Sequence, residues 1–260
     1  MINLQDNYSN QAENDCFEVA VCSVIGDRNE QQDRVGYSLK YSDGVVAVCD
    51  GMGGHSGGKK ASVIALEQFL QQWKCRTPET APRKFLIETV MMLNTLVTGL
   101  KHDDGTAMRA GTTFSAILLE QRQLHWVSVG DSRIYVYRRP ELVRITQDHT
   151  YQALQDAGQL PPSLPCVETP SSVLVSFLGV GELPRIERNR GPLELRSGDT
   201  VLLFSDGLYK LVAEQEVSNI LSERRPPAET VQKLIFRAQE NKKANRLAAD
   251  NISVAVVNIK

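Results

Sequence analysis

Five aspartates in this chain stand where apolar runs begin or end. Asp50 closes VVAVCD, Asp131 closes WVSVGD and Asp206 closes VLLFSD; Asp33 directly precedes RVGYSL and Asp250 precedes ISVAVV. A carboxylate at the edge of a buried strand loses hydration and must be paired, hydrogen-bonded or bound to a cation. Several such groups brought together repel one another, and divalent cations remove that conflict. Histidine and cysteine are few and scattered, so the implied ligands are oxygens, which suit Mg²⁺ or Mn²⁺ better than Zn²⁺. Asp50-Gly51 and Asp206-Gly207 also read as ordinary turns or helix starts. The placement shared by all five acids favours the metal reading, although convergence is not visible in sequence.

The stretch DGMGGHSGG (50–58) offers a second chemistry. Gly51, Gly53 and the residues after them approach a phosphate-cradling G-x-G-x-x-G loop. Two features oppose that reading. Asp50 would place negative charge beside a pyrophosphate, and the helix that follows leads to another helix rather than to the parallel strand of a βαβ unit.

The elements that must position these acids follow from periodicity. FEVAVCSVI (17–25), RVGYSLKY (34–41) and GVVAVCD (44–50) read as strands, with a tight turn at 42–44. Two helices are expected next, over KKASVIALEQFLQQW and PRKFLIETVMMLNTLVTGL, the second opened by Pro82. Four runs then form a meander: 112–120, 123–131, 132–139 and 141–146. Their short connections permit only antiparallel neighbours. A short helix is expected over 148–158, a Pro/Ser-rich loop over 159–172, strands over 172–179 and 252–259, and a buried strand running into a turn over 199–207. Helices are expected over 214–222 and 227–240. This order predicts an α+β layered domain rather than a doubly wound sheet.

The chain has 260 residues, enough for one large domain. Residues 1–15 read as a polar tail and 16–260 as a single catalytic domain. With 29 Lys+Arg against 31 Asp+Glu, the basic excess of a nucleic-acid binder is missing. No apolar run is long enough to span a membrane, and the start lacks the pattern of a secretory signal, so the expected setting is the cytoplasm. Cys16, Cys22, Cys49, Cys75 and Cys166 form no C-x-x-C pair, so reduced thiols are expected. A monomer is the default expectation.

Seven segments, in order, resemble the PPM family of metal-dependent, type 2C Ser/Thr protein phosphatases, in its bacterial branch. They are GDRNEQQD (26–33), VVAVCDGMGGHSGG (45–58), GTTFSAILL (111–119), WVSVGDSRIYVYR (126–138), ITQDHT (145–150), GDTVLLFSDGLYKLV (198–212) and DNISVAVV (250–257). The resemblance covers nearly the whole chain. It implies a four-layer α-β-β-α sandwich with two central antiparallel sheets and a metal site at one end. It implies that Asp50 and the Gly51 carbonyl hold a first Mn²⁺ or Mg²⁺, with Asp50 bridging to a second held by Asp33, Asp206 and Asp250. Asp131 joins Asp206 at a possible third ion. Arg28 matches the arginine that grips the substrate phosphate, where its planar fork fits two oxygens. The implied reaction is hydrolysis of phosphoserine and phosphothreonine by a metal-bridging water. The implied partners are phosphoprotein substrates and a cognate bacterial Ser/Thr kinase.

Three departures from the family pattern stand out. The family's arginine motif commonly places Asn two residues before the metal-binding Asp; here Gln31 stands there, and Asn29 lies earlier. Met52 follows Asp-Gly where animal members have a histidine. His55, three residues on, is read either as handling substrate and protons or as capping the glycine loop. The segment 158–184, where a flap is usual, is Pro-rich and altered. Two other functions stay open on sequence: a phosphatase-like binding module that has lost activity, and a phosphatase of small phosphoesters.

Overall fold

The computed structural model describes residues 7–53, 57–160 and 172–260. Its strands are β1 (Tyr8–Glu13), β2 (Phe17–Val24), β3 (Arg34–Leu39), β4 (Asp43–Cys49), β5 (Gly51–Met52), β6 (Gly111–Thr112), β7 (Phe114–Glu120), β8 (Gln123–Val129), β9 (Arg133–Arg138), β10 (Glu141–Arg144), β11 (Glu187–Arg188), β12 (Leu193–Glu194), β13 (Thr200–Phe204) and β14 (Ile252–Ile259). Its helices are α1 (Gly57–Cys75), α2 (Pro82–Thr98), α3 (Tyr151–Asp156), α4 (Asp206–Tyr209), α5 (Glu214–Ser222) and α6 (Pro227–Asn245).

Two antiparallel sheets face each other. The first has the order β1-β2-β14-β13-β9-β10, the second β11-β8-β7-β4-β3 with β12 also on β8. Side-chain alternation explains the layering. Along β14, Ala255, Val257 and Ile259 point to the opposite sheet, while Ile252, Val254 and Val256 point to the helices. Along β4, Val46 and Val48 join the inter-sheet core, while Val45, Ala47 and Cys49 pack under α1 and α2. Helices α5 and α6 cover the first sheet by the same logic. The result is the expected four-layer α-β-β-α sandwich.

Two expectations change. Residues 8–13, read as part of a tail, form edge strand β1, registered on β2 from Tyr8↔Ser23 to Glu13↔Glu18. Tyr8 and Ala12 pack against the inter-sheet core, and the Tyr8 hydroxyl donates to the Val35 carbonyl of the other sheet. Residues 172–179 form no strand; among the described residues they make only the single bridges Thr150↔Leu174 and Thr112↔Leu178. Their apolar side chains are satisfied by packing, Val175 on Tyr151 and Leu154 and Leu178 in the core under α2. The short helix is trimmed to α3, where the Thr150 hydroxyl caps the Ala153 amide. Among the described residues no helix is long and apolar enough to cross a membrane. Cys16, Cys22, Cys49 and Cys75 are free thiols.

Candidate metal centre and phosphate site

The strands bring most of the predicted residues to one end of the sandwich. A cleft of about 920 Å³ is lined by Arg28, Asp50, Gly51, Asp131, Asp206 and Asp250, among others. Asp33 lies behind the cleft wall, 1% exposed. His55 and most of the 158–184 segment's proline-rich part lie outside the described residues.

Each acid is presented by a strand end, as the sequence pattern requires. Asp50 follows β4, and its carbonyl and amide are clamped by the next hairpin: Thr113 N donates to Asp50 O at 2.8 Å, and Asp50 N donates to Thr113 Oγ1 at 2.9 Å. Asp206 follows β13 and opens α4. Asp131 follows β8 after a turn at Gly130, whose φ of 110° stops the strand two residues before the predicted end. The glycines after Asp50 and Asp206 prove to be needed for backbone packing. A Cβ on Gly51 would lie 2.3 Å from the Gly58 carbonyl oxygen, and one on Gly207 would lie 2.0 Å from that of Asn251.

The cluster carries more negative charge than the protein neutralises. Burial, and then the charge of Asp206 and Asp250, push Asp33 up to about 7, against a hydrogen bond from Ser205 Oγ at 2.6 Å. Burial, then Asp33, Asp206, Asp131 and Asp250, hold Asp50 well above the usual carboxylate range. Asp131 rises to about 6 through burial and the charge of Asp206, although Tyr209 donates to its Oδ2 at 3.0 Å. Two cations answer this charge: Arg28 Nη2 meets Asp250 Oδ2 at 2.6 Å, and Lys210 Nζ contacts Asp206 Oδ2. The other Asp206 oxygen is buried with no hydrogen-bond partner among the described residues. Among the described residues no three acids, histidines or cysteines are drawn around one point as a finished cage. An all-oxygen set, an orphaned buried carboxylate oxygen and carboxylates raised by mutual repulsion nonetheless fit hard divalent cations.

The loop carrying Arg28 and Asp33 is tied to the strand carrying Asp250. Asn251 Oδ1 accepts from Gln32 N at 2.8 Å, and its Nδ2 donates to Ile25 O and Glu30 O. Gln31 fills the place of the family's asparagine: fully buried, it donates to Ser23 Oγ at 3.0 Å and accepts from Asp33 N at 3.0 Å. The Arg28 side chain is 61% exposed at the cleft mouth. Among the described residues it meets Asp250 through Nη2, which leaves other donors of the fork for an incoming oxyanion.

Sequence reading missed several residues of the site. On one wall, Asp148 grips Arg133 through both carboxylate oxygens, at 3.1 and 2.7 Å. The Arg133 guanidinium lies 3.5 Å from the Tyr209 ring centroid, and Tyr209 in turn holds Asp131. Lys210, four residues after Asp206, was findable by helical i,i+4 spacing. Ser205, Thr113 and Tyr209 carry no local signal, since their contacts form only when distant strands meet.

A sequence model of the protein phosphatase 2C family matches residues 23–249. Protein phosphatase PhpP of Streptococcus pneumoniae is 29% identical over 249 residues, covering 94% of this chain and 98% of that protein. The S. agalactiae serine/threonine phosphatase structure superposes with a TM-score of 0.80 at 25% identity, covering 94% of this chain and all of that one. The catalytic domain of the Ser/Thr protein phosphatase PstP in complex with two manganese ions gives a TM-score of 0.74 at 27% identity, covering 94% and 98%. The chain belongs to the protein phosphatase 2C family, as a bacterial PPM-type Ser/Thr protein phosphatase.

Proposed function

We propose that the chain hydrolyses phosphoserine and phosphothreonine in proteins and opposes a bacterial Ser/Thr kinase, with Asp33, Asp50, the Gly51 carbonyl, Asp206 and Asp250 serving the two core ions and Asp131 a third beside Asp206. The observation that carries this reading is the surplus of negative charge on the cleft floor, with an orphaned Asp206 oxygen, facing an exposed Arg28. When bound, the divalent ions supply a water activated for attack at neutral pH and positive charge for the phosphoryl oxygens. The residues of this chain do the rest. Arg28 swings its free N–H groups onto two phosphate oxygens, orients the phosphorus and offsets charge that builds on the oxygens during transfer. Asn251 and Gln31 hold the loop that sets where Arg28 starts. Asp148 and Arg133 fix the Tyr209 ring so that its hydroxyl orients Asp131.

Retention of every acid argues against a module that has lost activity. Residues 16–260, joined by edge strand β1 in the first sheet, act as one catalytic domain, and the protein works as a monomer inside the cell. Its large exposed apolar side chains, such as Tyr41, Met91, Val143 and Phe236, come from separate elements rather than one patch. Hydrolysis of p-nitrophenyl phosphate and of a phosphothreonine peptide, with Mn²⁺ or Mg²⁺, tests the reading. Folded protein that turns over neither substrate with either ion overturns it.

A further inference from the structure

A second charged surface begins beside the cleft. Arg83, Arg185, Arg188 and Arg190 line a groove of about 500 Å³ together with one acid, Glu187. Arg83, Arg188 and Arg190 are exposed. Among the described residues none of these four arginines forms an ion pair. Glu187 offsets the groove only at its inner end, beside the half-buried Arg185, because its Oε2 is turned in to accept from Gln147 N at 2.6 Å. In a chain with a formal charge of −2, this is a local concentration of unpaired positive charge. The start of α2 adds to it, with no acid in its first turn and no side chain capping its amides.

The groove's course follows from strand register. At its near end Arg185 Nη2 donates to Gln147 Oε1 at 3.0 Å, one residue from Asp148 on the cleft wall. Glu187 lies opposite Ser128 and Arg188 opposite Val127, so the segment runs down β8 away from Asp131. Asn189 continues it by binding Trp126 N and Leu124 O. At about 3.3 Å per residue, the distance from Asp131 back to Ser128 and Leu124 matches roughly three to seven residues of extended peptide.

We propose that this groove is a docking track for an acidic segment of the substrate phosphoprotein, rich in Asp and Glu and lying roughly three to seven residues from the phosphoresidue. The inference rests on the phosphoprotein reading of the cleft and names the substrate class it prefers. Charge complementarity selects an acidic chain, and arginine forks suit carboxylates held side by side. A long nucleic acid fits less well: its backbone charges would continue past the groove to the cleft mouth, where Asp27 and Glu30 join the acid cluster.

The test compares phosphothreonine peptides with Asp/Glu-rich or Ser/Gln-rich flanks, on either side of the phosphothreonine. The wild type should show a KM about tenfold lower for one acidic peptide at low salt, with the preference fading as salt rises. In the triple variant Arg83→Glu, Arg188→Glu, Arg190→Glu, with an unchanged thermal melt, the KM ratio should fall to about one. Equal KM values in the wild type, or a preference that survives the triple variant, overturn the proposal. Fluorescence anisotropy of an unphosphorylated acidic peptide provides a readout independent of catalysis. Groove-dependent peptide binding by a protein that hydrolyses nothing would leave the docking track standing and remove the catalytic reading instead. Binding of a single-stranded oligonucleotide but not of the acidic peptide would assign the groove to nucleic acid and overturn the proposal.

Discussion

Strand β13 has an aspartate near each end, and the two live in opposite electrostatic conditions. Asp199, just before the strand, has a side chain 4% exposed and is gripped by Arg138 through contacts of 2.5, 3.0 and 3.1 Å, with the Arg196 amide adding another at 2.8 Å. Asp206, just after the strand, keeps one buried oxygen without a partner among the described residues and shares its surroundings with Asp33, Asp50, Asp131 and Asp250. In sequence both are acids flanking the same apolar run. A structural carboxylate is matched locally, oxygen by oxygen. A carboxylate left under-matched by the protein carries a deficit that a bound cation would answer.

Asparagine substitution should separate the two ends most sharply. Asp206→Asn is expected to lower kcat by about 1000-fold or more, since metal charge stabilises phosphoryl transfer by several kcal/mol. Its metal-free thermal melt should not fall, because a repelling charge has been removed. Near-wild-type turnover would show that the deficit at Asp206 serves no ion. Arg28→Ala comes next, with a loss in kcat/KM of about 100-fold from the missing charge-assisted fork. Arg28→Lys should recover only part of it, because an ammonium lacks the planar fork. Full recovery by lysine would mean that Arg28 acts as a bare charge.

Asp199→Asn inverts the pattern. Turnover should be unchanged while urea denaturation shows a loss of about 2 kcal/mol. The loss stays below that of a fully buried pair because Arg138 can regain water. That side chain is 37% exposed. A loss of activity at Asp199 without a loss of stability would break the distinction between the two ends.

The acids at strand ends were legible because the near-continuous apolar runs of β4, β13 and β14 mark where each buried strand stops. The layer order was legible because the meander's short connections leave no alternative to antiparallel pairing. Edge strand β1 was not, since its burial rests on Tyr8 and Ala12 alone within a polar run. The reverse error at 172–179 has a related cause. Its apolar run is real, but Val175 and Leu178 are buried by packing, and a strand also requires a free edge to pair with. Gln31 looked like a departure from the family pattern because sequence compares residue types, whereas its amide supplies the contacts to Ser23 and Asp33 directly. Asp199 drew no attention in sequence for want of a visible partner; Arg138 arrives from a neighbouring strand.

A smaller effect tests how far the protein itself orients the under-matched acids. Tyr209→Phe removes the hydroxyl on Asp131 but keeps the ring under Arg133. Calorimetric titration should show the weakest Mn²⁺ site loosened by about tenfold, in the range of lost outer contacts to a ligand, with the tighter sites unmoved. Loosening of every site would mean that Tyr209 holds the cleft wall rather than Asp131.

The smallest expected effect concerns a buried base behind that wall. His149 is fully buried; its Nδ1 accepts from Gly130 N at 3.1 Å, and its Nε2 has no partner among the described residues. Burial, and then the nearby Arg185 charge, push its pKa from 6.5 down to about 3. Between those values the unfolded chain binds a proton that the folded protein refuses. This contribution to stability is therefore complete above the unfolded value and is lost as pH falls toward the folded one. Each pH unit within that window removes at most about 1.4 kcal/mol, so lowering pH from 7 to 5.5 should remove about 1 kcal/mol. The carboxylates of the cleft shift stability in the opposite direction over the same range, because their folded pKa values are raised. The readout is therefore the difference between wild type and His149→Gln in metal-free urea melts at the two pH values. Glutamine can still accept from Gly130 but does not titrate, so the variant should gain about 1 kcal/mol relative to wild type on acidification. An identical pH response in both proteins would mean that His149 accepts its proton inside the fold, and that the wall behind the acid cluster tolerates positive charge as readily as the cleft attracts it.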